Sequence, residues 1–117
     1  MVPARRPSRR VQVGRLAVGG GEPVRVQAMT KTDTRDTEAT LDQIRALEVA
    51  GAEIIRLALP DSESVASLAC LRPHSSTPLV ADVHFDHRIA LAALGAGADK
   101  IRINPGNIQD PSRLREI

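Results

Sequence analysis

"EATLDQIRALEVAGAEIIRLALPD", residues 38–61, decides the architecture. Its first half places Leu41, Ile44 and Leu47 three apart on one face of a helix, with Asp36 upstream as N-cap and Gly51 as the stop. Its second half, "IIRLAL" (54–59), is the short apolar run expected of a strand buried on both faces. A helix that stops on glycine and feeds a strand is one turn of a βα repeat. Comparable runs recur at "VRVQAM" (24–29), "LVADV" (79–83) and "KIRI" (100–103), about 20 to 30 residues apart, as parallel βα units require.

The intervening segments read as helices. "DSESVASLACL" (61–71) follows Pro60, with Asp61 or Ser62 as cap and Pro73 and Pro78 fixing the return to the third run. "DHRIALAALGAGA" (86–98) turns Ile89, Ala93 and Leu94 to the sheet and has Gly97 as C-cap, while "DPSRLREI" (110–117) starts a fourth helix with Pro111 at its first position. Upstream, "VQVGRLAVGGG" (11–21) alternates about Gly14 as a short hairpin that closes the bottom of the domain. Residues 11–117 are therefore expected to be α/β: either the N-terminal half of a (β/α)8 TIM-type barrel, four parallel strands with helices preceded by a β-hairpin, or a small open α/β domain. A complete barrel takes about 250 residues, so the first alternative makes this a truncated barrel.

With 42% hydrophobic and 26% charged residues, the 117-residue chain falls outside the disordered and membrane classes. No stretch approaches the roughly 18 apolar residues of a span, and the start lacks a secretory apolar core, so a cytoplasmic setting without membrane partner is expected. The net charge of +2 owes four positives to Arg5, Arg6, Arg9 and Arg10, and the remainder stands at −2. Residues 1–10 are read as a basic, disordered, solvated tail. One Phe and no Trp or Tyr exclude a base-stacking platform, so no nucleic-acid partner is expected. Cys70, the single cysteine, rules out an internal disulfide and is expected to be a small buried residue.

The polar residues carry the functional signal. Strand alternation puts Arg102 and Asn104 on one face and pairs Asp82 with His84; Gln27 and Thr30 finish the first strand, and Arg56 interrupts the second. Each strand thus contributes a polar group near one end of the sheet, the carboxyl end at which parallel α/β folds bind ligands. A buried arginine costs several kcal/mol unless it meets an anion. That anion is either Asp82, in a structural ion pair, or a phosphate or diphosphate ligand, with Asn104, Gln27 and the amides of Gly106 and Asn107 completing the shell. His84 and His87 with Asp82 and Asp86 also permit a metal reading, but His84 ends a strand while His87 opens a helix. His84 is better suited to donate a hydrogen bond or shuttle a proton, His87 is expected to face solvent, and His74 has no role. No P-loop, dinucleotide fingerprint or nucleophile elbow is present.

Four blocks in order, "VQAMTKTDT", "EATLDQIRALEVAGAEIIRLALPD", "PLVADVHFDHRIAL" and "KIRINPGNI", resemble the N-terminal part of the 4-hydroxy-3-methylbut-2-enyl diphosphate synthase family, from Arg9 onward. The resemblance implies an iron-sulfur oxidoreductase of the methylerythritol phosphate route to isoprenoids. It implies a (β/α)8 barrel that binds 2-C-methyl-D-erythritol 2,4-cyclodiphosphate and a C-terminal domain whose cysteines and glutamate hold a [4Fe-4S] cluster. The resemblance further implies electrons from flavodoxin or ferredoxin and a homodimer when the enzyme is complete. By this resemblance, on matching positions Arg56, His84, Arg102 and Asn104 would contact the cyclodiphosphate, while Asp82, Gln27 and Thr30 would line the same mouth. Ala28 stands where the family usually shows serine, and "RLALPD" is more apolar than the usual "RVSVPD". The cluster ligands are expected beyond Ile117, so no metal ligand and no catalytic residue is assigned here and the chain alone is expected to be inactive in the redox step. Two other expectations remain: a dihydropteroate-synthase-like barrel that binds a phosphorylated or pterin ligand, and a noncatalytic α/β domain in which the arginines merely pair with Asp82.

Overall fold

The computed structural model describes residues 3–117. A hairpin, β1 (Val11–Val13) and β2 (Leu16–Val18), precedes four βα units. These are β3 (Gln27–Met29) with α1 (Thr37–Val49), β4 (Ile54–Ala58) with α2 (Ser62–Leu71), β5 (Leu79–Val83) with α3 (His87–Gly95), and β6 (Lys100–Ile103) with α4 (Pro111–Glu116). The four strands pair in parallel in the order β3-β4-β5-β6.

That order distinguishes the two expected architectures. A doubly wound sheet reverses its strand order and takes helices on both faces, whereas a barrel adds each strand beside the last and keeps its helices outside. Here Ile55, Leu57, Leu59, Leu79, Ala81 and Val83 point to one side and pack with Ile44 of α1, Leu68 and Leu71 of α2, and Ala90 and Ala93 of α3. On the opposite face Ile54 and Val80 meet Val13 and Leu16 of the hairpin, which plugs the amino end of the strands. The half barrel with a hairpin underneath is the arrangement observed.

Helix starts follow local chemistry. Asp36, Asp61 and Asp86 accept N–H bonds from Ala39, Ser64 and Arg88, and Ser64 returns a capping-box contact. A hydrogen bond from the Arg88 side chain holds the Asp86 carboxyl below its ordinary range, and Arg35 does the same for Asp33, to about 2. Helix α3 ends at Gly95 with Ala96 as C-cap, and Gly97 follows at φ 107°. A Cβ there would lie 2.8 Å from the Arg72 Cγ, in a chain whose Arg72 guanidinium already bonds Asp99 and the carbonyls of Ser75 and Thr77. Gly97→Ala is expected to cost about 1 to 3 kcal/mol in urea unfolding, because both the left-handed backbone and the contact penalise a side chain.

Several expectations are corrected. Strand β3 does not begin at Val24: Val24 and Val26 are exposed, and the intervening Arg25 is drawn into bonds with the Ala17 carbonyl and Glu53. Leu94 is 42% exposed, and Ala90 takes the sheet-facing position, because the nine-residue α3 turns the Ala90 and Ala93 edge inward. Cys70 is exposed, since α2 buries Ser64, Ser67, Leu68 and Leu71 on its other side. Of the tail read over residues 1–10, Met1 and Val2 lie outside the described residues; residues 3–10 form no regular element, as a tail would, and Ser8 accepts the Gly20 N–H at 3.0 Å while Arg10 bonds Glu22 at 3.1 Å. Among the described residues no helix is long and apolar enough to cross a membrane.

Candidate functional site

The face of the sheet turned away from the helices carries Gln27 and Met29 on β3, Ile54, Arg56 and Ala58 on β4, Val80 and Asp82 on β5, and Lys100 and Arg102 on β6, by strand alternation and register. Toward the amino end its centre, Ile54 and Val80, is apolar and sealed by the hairpin, with Gln27 and Lys100 at the margins. Toward the carboxyl end it becomes charged.

Asp82 is the centre of that charge. It pairs in register with Ala58 on one side and Arg102 on the other, and its side chain is 4% exposed. Arg102 Nη1 donates to Oδ1 at 3.1 Å, Arg56 Nε lies 3.5 Å from Oδ2, and His84 Nε2 stands 3.8 Å from the same oxygen. The structure therefore brings together Arg56, Asp82, His84 and Arg102, and Asp82 serves both arginines rather than one. Two guanidiniums facing a single carboxylate leave one positive charge uncompensated. The Arg56 Nε is also buried without a hydrogen-bond partner, since 3.5 Å is too long to satisfy it.

Other expected members lie elsewhere. Gln27 opens β3 rather than finishing it and sits over the hairpin end, beside Val18, Glu22, Ile54 and Lys100. The physical reason is the late start of the strand, which leaves the apolar Met29, not a polar residue, in register with Arg56. Thr30 follows β3, gives its N–H to the Arg56 carbonyl at 3.1 Å, and is buried with an Oγ1 that has no partner; alternation puts it on the helix side. Asn104 is exposed just past β6, and its Oδ1 accepts the Gly106 N–H at 3.0 Å, while its carbonyl accepts the Asn107 N–H at 2.9 Å. The two amides expected to cradle a phosphate are thus consumed inside the Asn-Pro-Gly-Asn turn, as an asparagine that opens a turn tends to arrange. The Asn104 Nδ2 group remains as a donor.

His87 does not face solvent. It is 8% exposed, with Nε2 3.1 Å from Glu116 and Nδ1 3.3 Å from Arg113, so α4 lies over it. Among the described residues no three His, Cys, Asp or Glu gather as a metal site, and Cys70 sits on an outer helix. The groups present do not fit an iron-sulfur cluster. The sequence reading passed over Thr34, which is 2% exposed and donates to the Ala58 carbonyl at 2.6 Å, tying the loop after β3 to the carboxyl end of β4. The alternate threonines of "TKTDT" are the signal that marks such a loop.

A family model described as the GcpE TIM-barrel domain matches residues 8–117. Relatives described as 4-hydroxy-3-methylbut-2-en-1-yl diphosphate synthase (flavodoxin) include one from Dehalococcoides mccartyi, 53% identical over 97% of this chain and 32% of its own length. One from Symbiobacterium thermophilum is 54% identical over 97% of this chain and 30% of its own length, and one from Magnetococcus marinus 50% identical over 100% and 32%. The chain spans about a third of the length of these curated relatives. Among solved structures, the carboxyl transferase domain of Rhizobium etli pyruvate carboxylase superposes with a TM-score of 0.54 at 20% identity, over 66% of this chain and 16% of that one, a likeness of fold alone.

Proposed function

Because this chain belongs to the GcpE TIM-barrel domain family, we propose that residues 11–117 are the substrate-binding part of a 4-hydroxy-3-methylbut-2-enyl diphosphate synthase, a cytoplasmic homodimer when complete. Its ligand is 2-C-methyl-D-erythritol 2,4-cyclodiphosphate, and the reaction served is the reductive opening of that ring in isoprenoid biosynthesis. One observation carries this reading: two guanidiniums from separate strands converge on one buried carboxylate at the carboxyl end of the sheet, with a positive charge to spare and a buried Nε still unbonded.

The chemistry of that end suits a diphosphate. Arg56 and Arg102 keep 29% and 41% of their side chains exposed, so each presents N–H donors to a ligand while resting on Asp82. His84, 36% exposed, offers a ring nitrogen toward the same space, and Asn104 offers Nδ2 from the turn beyond β6. Low water content behind them, where Asp82 is buried, strengthens each charge contact. These groups neutralise and orient the ligand; Thr30 supports the Arg56 backbone, and Gln27 has no part. In the complete enzyme a [4Fe-4S] cluster, reduced by flavodoxin or ferredoxin, would supply the electrons for ring opening; no ligand set for that cluster stands among the described residues, so the role of this chain is binding and orientation.

The alternative of a purely structural ion pair draws support from the same Asp82 contacts, but one carboxylate cannot neutralise two arginines. Isothermal titration separates the readings. The chain is expected to bind the cyclodiphosphate, with His84→Ala weakening it about tenfold through loss of a hydrogen bond to a charged group. Binding of a pterin in its place, or of neither, would overturn the assignment.

A further inference from the structure

Arg56 and Arg102 belong to strands on either side of β5. Neighbouring strands lie about 4.8 Å apart, so the two backbones stand roughly 10 Å from each other. Like charges on flexible stems at such a distance would splay apart. Instead both guanidiniums lean to one point, Arg56 Nε to Oδ2 of Asp82 at 3.5 Å and Arg102 Nη1 to Oδ1 at 3.1 Å.

Asp82 has no freedom to follow them. Its strand is hydrogen-bonded on both sides, its carbonyl accepts the Leu59 N–H at 2.9 Å, and its side chain is 4% exposed. The arginines, by contrast, are long side chains that remain partly exposed. The rigid member of the trio is the carboxylate, and the cations take their places from it.

We propose that Asp82 is a positioning residue that determines specificity: by drawing two guanidiniums over one carboxylate, it gathers them so that two phosphoryl groups joined through one oxygen can engage both at once. The site then selects a diphosphate over a single phosphate. This rests on the anion-site reading above and adds the residue that makes that site discriminate. Simple Coulomb reasoning runs the other way, because deleting a negative charge should strengthen the binding of every anion. The two ideas therefore predict opposite signs for one substitution.

The measurement is isothermal titration of the 117-residue chain with inorganic pyrophosphate and with orthophosphate, at one pH and ionic strength, for the unaltered chain and for Asp82→Asn. The expected result is a fall of about tenfold in the ratio of pyrophosphate to orthophosphate affinity, as one charge-assisted contact is lost from the larger anion only. A D82N chain that binds both anions more tightly, or both more weakly by the same factor, overturns the proposal. Should D82N fail to fold, Arg102→Lys puts the same question: it keeps the charge but removes the planar fork, so the ratio must fall, and an unchanged ratio overturns the role of Asp82. If the unaltered chain binds neither anion, the anion-site reading itself falls. If it binds pyrophosphate and D82N keeps the ratio, the site stands and only the role of Asp82 is refuted.

Discussion

With Arg56 and Arg102 both replaced by alanine, the chain is expected to lose about 3 to 5 kcal/mol of folding stability, whereas either replacement alone costs about 1 kcal/mol or less. Asp82 is the cause of the difference. Its side chain is 4% exposed and touches both guanidiniums, so each single variant leaves it one cation. The double variant leaves a buried carboxylate with only His84, 3.8 Å away and charged only when protonated. Removing the last partner of a buried charge strands it at its full desolvation cost, which is far more than a partly exposed pair contributes. Urea unfolding of the four chains gives the coupling directly as the departure from additivity. Additive effects would mean that Asp82 is wetted and that the trio is not a unit.

Leu57→Ala is expected to cost about 2 to 5 kcal/mol, enough to unfold much of a domain whose total stability lies in the ordinary range of about 5 to 15 kcal/mol. Leu57 lies within β4, fully buried on the helix side, where it packs in the cluster that holds Ile44, Leu68 and Leu71. A cavity there has helices on one side and a paired strand on the other, so little can collapse into it. Leu94→Ala is the matched control: at 42% exposure it should shift the unfolding midpoint by no more than a surface change, about 0.5 kcal/mol. Equal costs at the two leucines would contradict the observed facing of α3.

Much of the fold was legible because hydrophobic spacing is a local property. Leu41, Ile44 and Leu47 lie on the core side of α1, the runs at 54–59, 79–83 and 100–103 contain β4, β5 and β6, and Asp36 and Asp61 cap the helices read from them. The errors came where a neighbour in space outweighed the pattern. Val24–Val26 look like strand, but Arg25 answers to Glu53, a residue 28 positions away. His87 opens a helix and reads as solvated, yet α4 covers it.

The candidate site divides in the same way. That Asp82, His84 and Arg102 lie toward the carboxyl ends of their strands, with Arg56 on the same face at the middle of β4, follows from the alternation of side chains and the short connections between units, which one chain carries in its own order of residues. That Asp82 serves both arginines at once, that Gln27 belongs to the opposite end, and that the Gly106 and Asn107 amides are closed within their turn follow from register and hydrogen bonding. Periodicity tells which face a side chain takes, because it depends on the backbone of its own segment. Which strands stand beside one another, and how far along each begins, depends on energies summed over the whole fold, and only the assembled sheet decided those.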